Sequence, residues 1–365
     1  VKKIVHRYGP FGLRTLVRTR KNEFQAQITA NTQMMLAAAD GLLWSDAKKL
    51  ECAEGIYRGC MRWFYSQTGE EPRRGQRTWM RRQPHEREFC LVREKFMHAR
   101  RGEGRTSLAA LESAERGSLK DKVNESPDGE AITRSAPIGL YYAGSPKEAF
   151  YEGVRCAVFT HSHPTAYLSA AAFASLIAGL AGGLSLPKAL AATVRVLSAS
   201  DRSDEILAAM EAAITQANNH PAGRGDVWDH LDSIRSFGTG RTGSEVLAIA
   251  VYCVMACDDP FDALLAGANH DGRSSVTAAA VGALEGVRFG ESFLPRSWVD
   301  TLEQHELIGK VGEKVYETFA KATWLDAYVG PGNHQLALID ARHGRDELAL
   351  ERVDAGLRAR PDQLQ

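Results

Sequence analysis

An all-α fold in a single domain is what this sequence predicts, and three of its features carry the prediction. Apolar residues recur at helical spacing, while the alternation of β-branched residues expected of strands is almost absent. Alanine and glycine stand at i, i+4 spacing in segments such as 278–286, which lets helices approach closely and favours a tightly packed, orthogonal multi-helix bundle. The 365 residues are 44% hydrophobic and 25% charged, a balance that buries a core and excludes wholesale disorder. No linker divides the chain, so 1–340 reads as one domain and 341–365 as a charged surface helix with a frayed tail.

The first strong helix spans 32–44, rich in Met, Ala and Leu, with Thr29 or Asn31 placed to cap it. A second covers 52–65, where Ile56, Cys60, Trp63 and Phe64 fall at helical spacing. Segment 73–105 holds eleven Lys and Arg against four Glu, with Trp79, Phe89 and Phe96 interleaved. It reads as a solvated helical face, or as a surface for an acidic partner or nucleic acid. Polar residues, Gly and Pro make 117–134 a loop. Small-residue helices are expected at 146–159, 164–182, 186–199 and 204–218, followed by a loop-like stretch at 223–243. Helices return at 243–256, 260–268 and 275–286, and 298–319 closes the globule.

Lys+Arg and Asp+Glu both number 45, so the formal charge is zero. That argues against a general polyanion binder, and no nucleic acid is expected as partner. The six cysteines form no CxxC pair, which removes metal-finger and disulfide frameworks and leaves free thiols in a reducing compartment. Cys253 and Cys257 share one face of an apolar helix and read as core. The most apolar stretch, 166–190, is broken by Ser, Gly and Pro and reads as buried helices instead of a membrane span. The sequence starts on a basic segment without an apolar signal region, so a cytoplasmic protein is expected.

Two helix starts carry the most information. One is Gln27-Ile28-Thr29-Ala30-Asn31-Thr32-Gln33-Met34; the other is Ala268-Asn269-His270-Asp271-Gly272-Arg273-Ser274-Ser275-Val276-Thr277. Between and after them stand Ser135-Ala136-Pro137-Ile138-Gly139-Leu140, Thr160-His161-Ser162-His163-Pro164, Ser244-Glu245-Val246-Leu247 and Phe289-Gly290 leading to Pro295 and Trp298. In this order and spacing the chain resembles the ADP-ribosylglycohydrolase family, the relatives of dinitrogenase-reductase-activating glycohydrolase, from about Tyr8 to about Phe319. The resemblance implies an orthogonal all-α fold with two magnesium ions that hydrolyses ADP-ribose from modified side chains. Bacterial relatives also resemble immunity proteins against ADP-ribosylating toxins.

The departures from the family pattern fall on its metal ligands. The first family motif is Thr-Asp-Asp-Thr; Thr29 and Thr32 match it, but Ala30 and Asn31 hold the two Asp positions. The second is Gly-Asp-Ser-Asp; Gly272 and Ser274 match, but Arg273 and Ser275 replace its acids, and Val276 replaces the hydroxyl residue after them. Magnesium needs hard oxygen ligands, and a cation about 4 Å from a unit charge feels roughly 4 kcal/mol even at a surface-like dielectric. Losing four acids and gaining Arg273 therefore repels a pair of dications, so no cofactor is expected and no residue is assigned to metal. The family's glycine-rich Asn-x-Ser-Lys-Gly-Cys-Gly loop survives only as Asn124 and Ser126, with Asp128 and Glu130 placed to oppose a diphosphate. Its opening Gly-Asp-Ala-Leu-Gly helix does not occur in this sequence.

The candidate ligand-binding residues are thus Thr29, Asn31, Asn124, Ser126, His161, Asn269, Gly272, Arg273, Ser274 and Ser275. Each has a plainer reading. Thr29 or Asn31 and Ser274 or Ser275 serve as helix caps, or the two helix N-termini with Arg273 form an anion site. Asp271 reads alternatively as an ion-pair partner that closes Arg273 off. His161 and His163 either face the ligand or simply enter a helix, and Glu245 either acts in the site or answers a helix dipole. The expectation is a degenerate member of the family that binds a protein, an ADP-ribosylating toxin or a modified target. The alternatives are a hydrolase using Asp271, Glu245 and His161, and a module that binds ADP-ribose without metal.

Overall fold

The computed structural model describes residues 1–17, 25–102, 104–113, 116–220 and 227–326, with side chains as far as Phe319. The expected 341–365 tail and part of 223–243 lie outside the described residues. The elements are helices: α1 (Lys2–Tyr8), α2 (Ala30–Lys48), α3 (Cys52–Thr68), α4 (Lys95–His98), α5 (Arg105–Glu112), α6 (Ala136–Tyr141), α7 (Pro146–Ala157) and α8 (Pro164–Ala181). They continue as α9 (Leu186–Ser198), α10 (Asp204–Asn219), α11 (Leu231–Phe237), α12 (Gly243–Ala256), α13 (Pro260–Ala268), α14 (Ser274–Phe289), α15 (Arg296–Thr301) and α16 (His305–Asp326). Among the described residues there is no strand, only the isolated bridges Ala26–Leu302 and Asp128–Thr242.

Two cores share one central helix. α8 is apolar on every side and long enough to cross a membrane, and here it is packed by α6, α7, α9 and α12. Its Ala170–Phe173 stretch joins the core built with α10, α12 and α14. Ala174 and Ala178 of the same helix join the core of α2, α3 and α16. The α2–α3 crossing depends on glycine: a Cβ at Gly59 would stand 2.2 Å from the Ala37 carbonyl oxygen, and one at Gly41 2.4 Å from that of Gly55. Close backbone approach of this kind is the structural use of the small-residue pattern.

Four expectations are corrected. Segment 73–105 is no continuous helical face: it folds as the 3-10 turns Arg74–Met80, Pro84–Arg87 and Leu91–Arg93, then α4, laid over α2 and α3. Beneath it lies a buried ionic cluster in which Arg62 pairs with Asp40 and Glu86, and His85 Nε2 meets Asp40 Oδ1 at 2.7 Å. Buried ions need such mutual pairing, and no sequence motif announced it. Segment 117–134 ends in the buried 3-10 turn Gly129–Arg134, and the expected loop at 223–243 contains α11. Finally, 298–319 is divided between α15 and α16, with Gln304 at φ 61 marking the break.

Candidate functional site

The polar half of the candidate site is built on one turn. Residues 127–129 are tied to the start of α12 by Gly129 N–H to the Arg241 carbonyl (3.0 Å) and Gly243 N–H to the Pro127 carbonyl (2.8 Å). The adjoining turn is shaped by Glu245, whose Oε2 accepts from the Thr239 and Arg241 amides at 3.0 and 2.8 Å. Thr239 in turn accepts the Arg273 amide at 2.7 Å, and a Cβ on Gly272 would stand 1.8 Å from that Thr239 oxygen. Glu245 and Gly272 therefore position the backbone of this region, and neither is among the residues lining the two cavities beside it. The dipole reading of Glu245 understated its part, which is to bind two loop amides.

Arg273 is where the two sequence motifs meet. Its Nη1 donates to Asp128 Oδ2 at 2.5 Å, and its Nη2 lies 3.5 Å from Glu130 Oε1. Glu130 is buried and accepts also from the Gly104 amide and from the Ser107 amide and hydroxyl, each at 3.2 Å. Burial, reinforced by the nearby Asp128 charge, raises its carboxyl above the usual range. His161 is fully buried, and one of its ring nitrogens lies within 4.8 Å of both carboxylates. Its Nδ1 faces Thr160 Oγ1 at 2.8 Å, and its Nε2 has no partner among the described residues. Burial holds the ring well below its ordinary pKa, with Arg134 and Arg273 adding to the effect, so it is neutral.

Two cavities flank these residues. The first, of about 710 Å³, is lined by Ser126, Asp128, Glu130, Arg105, Arg241 and Arg273 among others. The second, of about 720 Å³, is mostly apolar and brings together Thr29, Ser274 and Ser275 with Leu265, Trp298 and Ile308. The two helix starts thus converge as expected, on a greasy cleft and not on a ring of carboxylates. At the positions that the resemblance assigns to metal, the side chains offer magnesium no carboxylate. Ala30 offers no donor, Asn31 is buried with its Nδ2 unpartnered, and Arg273 brings a positive charge already engaged by two acids.

Several assignments change with the geometry. Asp271 does not pair with Arg273; its Oδ2 accepts from Arg235 Nη2 at 2.7 Å and Nε at 3.0 Å. Neither predicted cap forms. Thr29 occupies the N-cap position of α2 without a side-chain bond, Asn31 lies inside the helix, and Arg273 precedes Ser274 and Ser275 at α14. Asn269 is a clamp, accepting the Leu13 amide at 2.7 Å and donating to the Leu13 and Leu265 carbonyls. Asn124 organises its own loop, donating to the Thr160 carbonyl at 2.7 Å and accepting the Ser126 amide at 3.1 Å. His163 is the helix-entry residue, accepting the Thr165 amide at 3.2 Å at the start of α8. Asp128 and Glu130 were read only as obstacles to a diphosphate; the charge complementarity with Arg273 was the signal that could have placed them together.

Comparison with known proteins adds three findings. The model of the family described as ADP-ribosylglycohydrolase matches residues 1–324. A protein of Serratia proteamaculans (strain 568) named ADP-ribosylarginine hydrolase Tri1 is 25% identical over 192 residues, 53% of this chain and 47% of that one. The chain thus spans about half the length of that curated relative. A solved structure titled ADP-ribosylglycohydrolase-related protein complex is similar at 19% identity with a TM-score of 0.48, covering 79% of this chain and 99% of that one.

Proposed function

The chain belongs to the ADP-ribosylglycohydrolase family, and on that premise we propose that it keeps the family's fold while acting by binding, without magnesium-assisted hydrolysis. The observation that carries this reading is Arg273, a fixed cation at a family metal position, held by Asp128 and Glu130 at the edge of the cavity. A tethered guanidinium disfavours divalent ions there by like charge, and metal-assisted activation of water then has no basis. The partner we propose is a protein, either an ADP-ribosylating enzyme or its modified target, met in the cytoplasm.

A second reading is favoured by Arg105 and Arg241, exposed cations on the wall of the same cavity. They suit a diphosphate, so ADP-ribose itself is the small ligand of choice, bound independently of metal. The hydrolase reading loses support because Asp271 is engaged by Arg235 and Glu245 by loop amides.

Two measurements test this. Peptides carrying ADP-ribosyl-arginine or ADP-ribosyl-serine, incubated with the protein and magnesium, should release no ADP-ribose above the protein-free rate. Calorimetry with ADP-ribose should give the same affinity with magnesium and with chelator. Steady magnesium-dependent release overturns the proposal, and heat that vanishes on chelation overturns the metal-independent reading.

A further inference from the structure

Segment 73–105 carries eleven Lys and Arg, and all but Arg101 are exposed. Arg101 pairs with Glu303; none of the others has a carboxylate partner among the described residues. Arg73, Arg82 and Arg100 instead donate to backbone carbonyls of Glu112, Glu86 and Gln67. Two of the segment's four Glu are engaged elsewhere, Glu86 buried on Arg62 and Glu88 held by Lys314, and eleven cations outnumber the rest. A chain with no formal net charge thus segregates a strong positive field to one layer.

The layer is also firmly based. Gln76, His85, Leu91, Phe96 and Met97 are buried beneath it, so the 3-10 turns point their cations outward from an anchored support. We infer that this arginine-rich layer over α2 and α3 is a docking surface for an acidic protein. Arginine is the cation that matches carboxylates in a fork, and a support fixed before contact lowers the entropy lost on docking. Nucleic acid fits less well because the interleaved rings are not presented for stacking. Phe89 and Phe96 are buried, and Trp79 packs edge-on against Tyr57 at 5.8 Å with Arg58 over its face at 5.3 Å. The layer meets the Arg273 cleft at its end, where Gly102 and Arg105 line the cavity, but Arg74, Arg77 and Arg81 are not among the residues lining it, so docking on them neither requires nor excludes turnover there.

The test uses fluorescein-labelled 20-residue poly-L-glutamate, the simplest acidic polypeptide, beside a 20-nucleotide single-stranded DNA. Arg74→Glu, Arg77→Glu and Arg81→Glu are combined in one variant; all three side chains are exposed and make no described hydrogen bond. A control reverses Lys48, Lys188 and Arg195, exposed cations elsewhere, to Glu. By anisotropy the patch variant should lose polyglutamate affinity about tenfold or more and the control less than about threefold, with unchanged melting temperatures. The binding should weaken steeply between 50 mM and 200 mM salt, roughly in step with a Debye length shrinking toward 8 Å. Equal losses in both variants would mean net charge alone is sensed and would overturn the inference. So would DNA bound more tightly than polyglutamate and lost with the patch.

Discussion

Asp271 and Arg273 stand two residues apart and face different partners: Asp271 pairs with Arg235, while Arg273 reaches Asp128 and Glu130. The second arrangement makes a specific demand on the protein. Glu130 is buried beside another carboxylate, and Arg273 is the cation that offsets their repulsion. Arg273→Met should therefore destabilise the fold by about 1–3 kcal/mol at neutral pH, by leaving two acids without their counter-charge. The loss should shrink as pH falls and the Glu130 carboxyl, raised above its ordinary range by burial, protonates. Thermal melts of both proteins at pH 7 and pH 4.5 check this, and a loss that is the same at both values would exclude charge repulsion as its cause.

At the scale of elements, the α2–α3 pair shows how a sequence pattern becomes a geometric requirement. Gly59 faces Ala37 so closely that a single methyl group would stand 2.2 Å from a backbone oxygen. Backbone cannot swing away as a side chain can, so the helices would have to separate along their length. Gly59→Ala should cost about 2–4 kcal/mol, seen as a lower midpoint in urea, although alanine has the better helix propensity. An unchanged or raised midpoint would show that the crossing yields. The 3-10 layer over these helices owes its shape to the same pair, since Asp40 on α2 and Arg62 on α3 hold His85 and Glu86 from below. Periodicity cannot foresee this, because it reports only residues of one element.

Across the whole molecule, α8 links both cores, so unfolding is expected to be a single cooperative event. Three histidines make that event sensitive to acid. Burial lowers the pKa of His161 and His230, and it lowers His270 to about 4. Each is favoured as the neutral ring in the folded state and takes up a proton near pH 6.5 when unfolded. The stability they contribute is full above pH 6.5 and is lost as pH falls from there, for His270 down to about 4. Each contributes a slope of about 1.4 kcal/mol per pH unit within its window. Urea titrations at pH 7, 6 and 5 should show the midpoint falling, and His270→Asn should reduce the slope by one proton's worth. A slope unaffected by that change would refute the burial argument.

The sequence by itself determined the helical architecture and, through the order of its motifs, the family, with Ala30, Asn31, Arg273 and Ser275 at the positions that the resemblance assigns to metal. It also located most helices, because apolar spacing along one element is a local property. Only the tertiary structure decided the partners. Asn269 clamping Leu13 and Arg273 choosing Asp128 over its neighbour Asp271 join residues far apart in the chain. Those choices follow from which buried charges and amides must be satisfied once the helices have packed, and packing is a property of the assembled molecule.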